Sequence, residues 1–178
     1  MPRPRATIRA SLLAALVLAA AGANAQATRA KVLPRADFFD ACPFTVAPPS
    51  VIAVLDARRW RDVVGASRRS PPPYDPAATD FRRESIFIVA LTSASNTLIE
   101  AALSSRKPER YDDASGTLTL FYDVVAKPAS VNDMAAGVGQ PCLVTWTAAH
   151  KDLQQVVTRT SDGRYIAGAR TAEKKKKR

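Results

Sequence analysis

The side chains best suited to catalysis are few and far apart in this chain. Its 178 residues include one histidine and two cysteines. A Ser-His-Asp or Cys-His arrangement would have to use His150, which follows an apolar run and precedes Lys151 and Asp152. A lone histidine at the end of a strand is typical of a polar cap. The sequence has no Gly-x-Ser-x-Gly elbow, phosphate-binding glycine loop or His-Glu-x-x-His motif, so we predict no catalytic residue.

Carboxylates offer a second route to chemistry. Asp112 and Asp113 are adjacent, and Asp80 lies shortly before Glu84. The first pair falls in a charged, turn-rich stretch typical of a solvated loop, and its spacing is not that of an EF-hand calcium loop. Because two carboxylates from distant segments can meet in a folded cleft, a carboxylate-dependent hydrolase stays open as an alternative. No metal site and no cofactor is predicted.

Cys42 and Cys142 are predicted to form a disulfide. Their spacing is far from the short Cys-x-x-Cys pattern of redox and metal sites, and one histidine adds too few ligands for zinc. An even cysteine count in an exported chain is typical of structural crosslinking. The bond would close a loop of about 100 residues, for which the chain-entropy model gives about 4.7 kcal/mol of stabilisation.

The first 25 residues have the pattern of a secretion signal. Arg3, Arg5 and Arg9 form a basic region, an apolar stretch spans 11–21, and small residues end at Ala25 before Gln26. We therefore predict cleavage between Ala25 and Gln26 by the general secretory route. The apolar stretch is shorter than the ~20 residues of a membrane-spanning helix, so no transmembrane segment is expected in the mature chain. The predicted location is periplasmic or secreted.

The net charge of +10 comes mostly from the two ends of the chain. Five basic residues occupy 174–178, whereas the body over 26–172 carries only +3 with interspersed signs. Such a body is an ordinary soluble surface, so no nucleic-acid partner is predicted. The basic residues at the end indicate a disordered, solvated tail. Loose electrostatic contact of this tail with anionic envelope polymers is the alternative.

A strand and a helix are predicted early in the body. Residues 50–55 form a short apolar run, and Asp56 can cap a helix over 56–65. Trp60, Val63 and Val64 recur at helical spacing while arginines occupy the other face. Trp60 is therefore a predicted core anchor. The proline-rich stretch over 66–79 cannot continue the helix and is expected to form a surface loop.

Later runs have the alternation typical of strands. Phe81 leads into a β-branched and aromatic run over 85–91 that predicts a central strand buried on both faces. Residues 97–103 suit a strand or a short helix, 104–116 a charged turn region, and 117–125 a strand with period-two alternation. A long connection is expected over 127–141. A strand over 142–148 places Trp146 beside Cys142, and a last strand and turn follow over 154–166. Phe81 and Trp146 are the other predicted core anchors.

These elements predict an α+β fold: a mostly antiparallel sheet of four to six strands with one short early helix, in a single disulfide-linked domain. We expect a signal peptide over 1–25, a leading segment over 26–49, the globular domain over 50–168 and the basic tail over 169–178.

One arrangement resembles a known family. An apolar strand at Val51-Ile52, a helix with Trp60, then Asp80-Phe81 before the strand 86–91 are followed by a leucine-rich strand, Lys127-Pro128 and Pro141-Cys142. This order resembles the C-terminal domain family of the protease complex subunit PrcB over about 51–149. The resemblance implies an exported domain without established catalytic residues that supports a protease complex. The chain departs from the family pattern at Ser93–Asn96, where a glycine-rich turn is usual, and at Cys142, where an aromatic residue is usual.

The sequence therefore predicts an exported, non-catalytic accessory or protein-interaction domain. Its expected partner is an exported protease or another envelope protein. The alternatives are a binding module for anionic envelope components through the basic tail, and the carboxylate-dependent hydrolase.

Overall fold

Two β-sheets account for most of the described chain. The computed structural model describes residues 32–68, 73–94, 96–136 and 139–171. Within these ranges the chain forms nine strands and two helices. The elements are β1 (Arg35–Phe39), β2 (Ser50–Val54), α1 (Ala57–Gly65), β3 (Glu84–Ala90), β4 (Thr97–Leu103), β5 (Arg110–Asp112), β6 (Thr117–Pro128), α2 (Val131–Ala136), β7 (Cys142–Ala148), β8 (Gln155–Thr160) and β9 (Tyr165–Arg170).

The first sheet has the strand order β1-β7-β3-β2, and every neighbouring pair in it is antiparallel. The second sheet has the order β4-β6-β8-β9, with β5 paired to β6. Its β6 and β8 are parallel, and the chain between these two strands passes through β7 of the first sheet. The second sheet is therefore mixed.

The central strands β3 and β7 are buried on both faces. Ile86, Ile88 and Val144 belong to a hydrophobic cluster with α1, which we call the outer core. Phe87 and Leu143 belong to a second cluster with the strands of the second sheet, which we call the inter-sheet core. Because successive side chains of a strand point to opposite faces, one apolar run serves both cores.

Helix α1 begins and packs as its sequence predicts. The Asp56 carboxylate accepts a hydrogen bond from the Arg59 backbone N–H at 2.8 Å, which satisfies a donor of the first helical turn. Trp60 and Val64 are buried in the outer core, one helical turn apart. This helix therefore covers the face of the first sheet that is turned away from the second sheet.

The structure confirms a mostly-β α+β fold and the disulfide, but it corrects the number of elements. The prediction of four to six strands and one helix is too low for the described residues. The segment over 26–49 contains β1, the turn region over 104–116 contains β5, and the connection over 127–141 contains the end of β6 and α2. Strand β9 runs to Arg170, so it extends into the segment assigned to the basic tail.

A pair of hydroxyl groups joins the two sheets. The hydroxyls of Tyr122 in β6 and Thr145 in β7 are hydrogen-bonded at 2.9 Å, and both residues are fully buried. Burial also raises the pKa of Tyr122, so its hydroxyl stays neutral over the physiological range.

We expect Tyr122→Phe to lower the free energy of unfolding by about 1–3 kcal/mol, because it leaves the buried Thr145 hydroxyl without this partner. Thr145→Val should cost a similar amount. The double variant should be less destabilised than the sum of the two single variants, since neither group then lacks a partner. Urea unfolding of the four proteins measures this coupling. Strictly additive losses would contradict it.

Candidate functional site

An aromatic cluster lies in the outer core, centred on Tyr74. The ring of Tyr74 is 5.1 Å from that of Trp146 and 5.6 Å from that of Trp60, measured between centroids. Phe39 and Phe44 lie slightly farther away, at 6.1 and 6.4 Å from Tyr74. Strand β1, the loop after it, α1 and β7 each contribute a ring, and Tyr74 comes from the proline-rich loop.

A cavity opens beside this cluster. Its volume is about 190 Å³. The wall combines aromatic rings with charged and small polar side chains, unlike the purely apolar packing that the sequence predicts for this region. The lining residues are Arg35, Asp37, Trp60, Tyr74, Asp75, Ala78, Thr79 and Trp146. We call this cavity the aromatic cleft.

The charges on the wall of the aromatic cleft are unequal. Arg35 binds Glu84 with an N–O distance of 2.6 Å, and its guanidinium lies 4.9 Å from the ring centroid of Trp146. Asp37 accepts a hydrogen bond from the Tyr74 hydroxyl at 2.9 Å. Within the described ranges neither Asp37 nor Asp75 is in an ion pair. Because Glu84 compensates Arg35, the two aspartates leave this wall with a net negative charge.

Two tryptophan side chains of the cleft have unsatisfied donors. Trp60 is 0 % exposed and Trp146 4 % exposed. The indole N–H of each is buried and has no acceptor among the residues that the structure describes. A buried donor without an acceptor costs about 1–3 kcal/mol. Polar groups left in this state are concentrated in places where a bound molecule completes the hydrogen bonding.

The predicted core anchors all lie in this region. Trp60 and Trp146 are buried in the outer core, and Phe81 is half-buried against it. The sequence treats these residues as packing alone and misses Arg35, Asp37 and Tyr74. A signal for two of them exists: Arg35, Asp37 and Phe39 alternate with Ala36 and Phe38, which pack on the inter-sheet core. This period of two is short, and charged residues occupy it.

The disulfide between Cys42 and Cys142 lies in the same outer core. The two Cα atoms are 5.2 Å apart, and the backbone N–H of Cys42 donates to the carbonyl of Gln140 at 2.7 Å. The bond links the segment that carries Phe44 to the strand that carries Trp146. It therefore holds two walls of the aromatic cluster together. The predicted cleavage site at Ala25 and Gln26 lies outside the described residues.

The other groups considered for chemistry lie in separate local contacts. Glu84 binds Arg35, Asp80 accepts from the backbone of Arg82, and Asp112 accepts from the Ser115 hydroxyl. The Ser115 hydrogen bond lowers the pKa of Asp112, the opposite of what a general acid needs. Over the described ranges, no group of three His, Cys, Asp or Glu side chains is placed to hold a metal ion.

His150 stacks on Tyr111, with ring centroids 3.9 Å apart. Its Nε2 is buried and has no hydrogen-bond partner in the described part of the chain. Burial lowers the pKa of His150 because charge is disfavoured away from water, and Asp113 partly opposes this shift. The histidine therefore belongs to the end of the second sheet and not to the aromatic cleft.

The depressed pKa of His150 makes stability depend on pH. Since the unfolded chain binds this proton more readily, the free energy of unfolding should be highest above the ordinary histidine pKa of 6.5. It should fall as the pH drops from there through the lower native pKa. NMR titration is unambiguous because His150 is the only histidine. His150→Gln should flatten the pH dependence in this window, and a native pKa of 6.5 or more would contradict the prediction.

Comparisons with known proteins add no relative: no family model, curated protein or solved structure matches this chain. The resemblance to the PrcB domain family therefore stays a prediction. No helix within the described residues is long and apolar enough to cross a membrane.

Proposed function

We propose that this chain is an exported, non-catalytic binding domain that contacts its partner through the aromatic cleft. The observation that carries the proposal is the pair of buried indole N–H groups of Trp60 and Trp146 on the wall of a cavity that also presents charged side chains. A pocket lined by rings with a few polar groups is the usual form of a recognition site.

Binding suits the aromatic cleft better than catalysis. The one carboxylate with a described side-chain partner there, Asp37, is held by the neutral hydroxyl of Tyr74. The chain's only histidine stacks on Tyr111 in a different part of the fold. Proton transfer needs an acid and a base that both reach the reacting atom, and the cleft offers no such histidine partner. Its polar groups suit positioning of a bound group.

The proposal keeps the expected location and partner. The predicted signal peptide and the Cys42–Cys142 disulfide both suit an oxidising compartment outside the cytoplasm. In that setting the partner is an exported protease or another envelope protein, as the resemblance to the PrcB domain family implies.

Site-specific photo-crosslinking tests this proposal. A benzoylphenylalanine replaces Ala78, which is exposed and lines the cleft, in the natively exported chain. Ala102, which is exposed on β4 of the second sheet, gives the matched control position. We expect a discrete adduct from position 78 that position 102 does not give.

The Asp37→Asn variant makes the test specific to the cleft. Asparagine keeps an oxygen that can accept from Tyr74 but removes the charge. The adduct at position 78 should weaken in this variant. Identical adducts at both positions, or none at either, would refute binding through the cleft. Turnover of an ester, peptide or glycan substrate that Asp37→Asn abolishes would favour the hydrolase instead.

A further inference from the structure

The aromatic cleft has features that select one kind of ligand group. We propose that it binds an organic cation, an alkylammonium or guanidinium group, and that a lysine or arginine side chain of the partner supplies it. This inference rests on the proposed function, because it names the group that the partner inserts.

The rings of the cleft meet at steep angles. The plane of Trp146 is inclined by 74° to that of Tyr74, and Trp60 is inclined by 39° to Tyr74. Rings arranged in this way present faces from more than one direction. The face of an aromatic ring carries partial negative charge, and tryptophan attracts a cation most strongly.

The molecule already places one cation on this surface. The guanidinium of Arg35 lies over the ring of Trp146 at 4.9 Å. Glu84 holds the same guanidinium through contacts of 2.6 and 3.4 Å, so the charge of Arg35 is compensated inside the protein. An anionic ligand would therefore find no uncompensated cation in the described wall.

The carboxylates complete a site for positive charge. Asp37 and Asp75 both line the cleft and both are exposed. With Arg35 and Glu84 compensating each other, these two residues attract a cation and repel an anion. A cation held by both rings and carboxylates is favoured over a neutral group of the same shape.

The size of the cleft limits what enters it. A volume of about 190 Å³ is below the ~300–1,000 Å³ of pockets for drug-sized molecules. It suits the head of one side chain or a small ammonium ion. The indole donors of Trp60 and Trp146 favour the side chain, because a peptide brings carbonyl oxygens with its cation and a bare ammonium ion brings none.

Two pairs of probes that differ only in charge test this inference. The first pair is N-acetylarginine amide and N-acetylcitrulline amide; the second is choline and its neutral isostere 3,3-dimethylbutanol. Each is titrated into the full chain with its disulfide intact. The chain has two tryptophans, so its two indole N–H signals report on Trp60 and Trp146 in an NMR spectrum.

We expect both cations to shift the indole signals saturably, and each neutral isostere to bind at least about fivefold more weakly. Asp37→Asn should weaken the cations by a similar factor. Glu100→Gln, a matched charge removal on β4 of the second sheet, should not change their binding. Tighter binding of the arginine amide assigns a partner's side chain, and tighter binding of choline assigns a free ammonium compound as the source of the cation.

Equal binding of the cations and their neutral isosteres would overturn the inference, as would tighter binding of inorganic phosphate or no shift with any cation. The crosslinking at position 78 separates this failure from that of the proposed function. If an adduct that depends on Asp37 persists while every cation fails, the cleft binds a partner through different chemistry.

Discussion

The double variant Cys42→Ala/Cys142→Ala should lose about 4.7 kcal/mol of unfolding free energy relative to the oxidised protein. The two cysteines are 100 residues apart, so the bond removes much of the conformational freedom of the unfolded chain. Cys142 is fully buried at the start of β7, which adds a smaller packing loss. Guanidinium unfolding, followed by tryptophan fluorescence, measures the difference.

Reduction of the unaltered protein separates the two causes. The reduced protein keeps both sulfur atoms in the outer core but loses the crosslink. If the crosslink dominates, reduced protein and double variant should lie within about 1 kcal/mol of each other, the cost of roughly one buried methylene-sized group. Oxidised and reduced proteins of equal stability would contradict the prediction.

Trp60→Ala should destabilise the protein by about 3–5 kcal/mol, the usual cost of truncating a buried large aromatic residue. Trp60 is fully buried, and its ring lies 5.6 Å from that of Tyr74 and 6.1 Å from that of Phe44. The truncation leaves a void between α1 and the first sheet that the rigid strands β3 and β7 cannot close. Urea unfolding and the melting temperature measure the loss.

Two controls define the cause of this loss. Trp60→Phe keeps most of the ring volume and removes the unsatisfied indole N–H, so it should cost clearly less than the alanine variant. Arg58→Ala changes an exposed residue of the same helix and should stay within about 0.5 kcal/mol. Equal losses for the alanine and phenylalanine variants would show that packing of Trp60 is not the reason.

Several elements could be predicted because their signals are local. The cap at Asp56 and the helical spacing of Trp60 and Val64 predict α1, which forms over Ala57–Gly65. The β-branched run that contains Ile86 and Ile88 predicts a strand buried on both faces, and β3 is such a strand. In each case the period of the apolar residues matches the geometry of one element.

The missed strands depend on partners that are distant in sequence. Strand β1 is a short edge strand with two charged residues, and it gains its ladder only by pairing with β7, about 100 residues later. Strand β5 has three residues and pairs with β6. The division into two sheets follows from which strands pair, and side-chain alternation alone is compatible with several pairings.

The candidate site shows the same division. The sequence by itself determined the disulfide pair, the buried helix with Trp60, and the strand that carries Trp146, because cysteine count and apolar periodicity are properties of the chain. Only the tertiary structure brought Arg35, Asp37 and Tyr74 to these tryptophans and left two indole donors without a described acceptor. A cleft is made of side chains from separate segments, and their meeting is decided by strand pairing and packing over the whole fold.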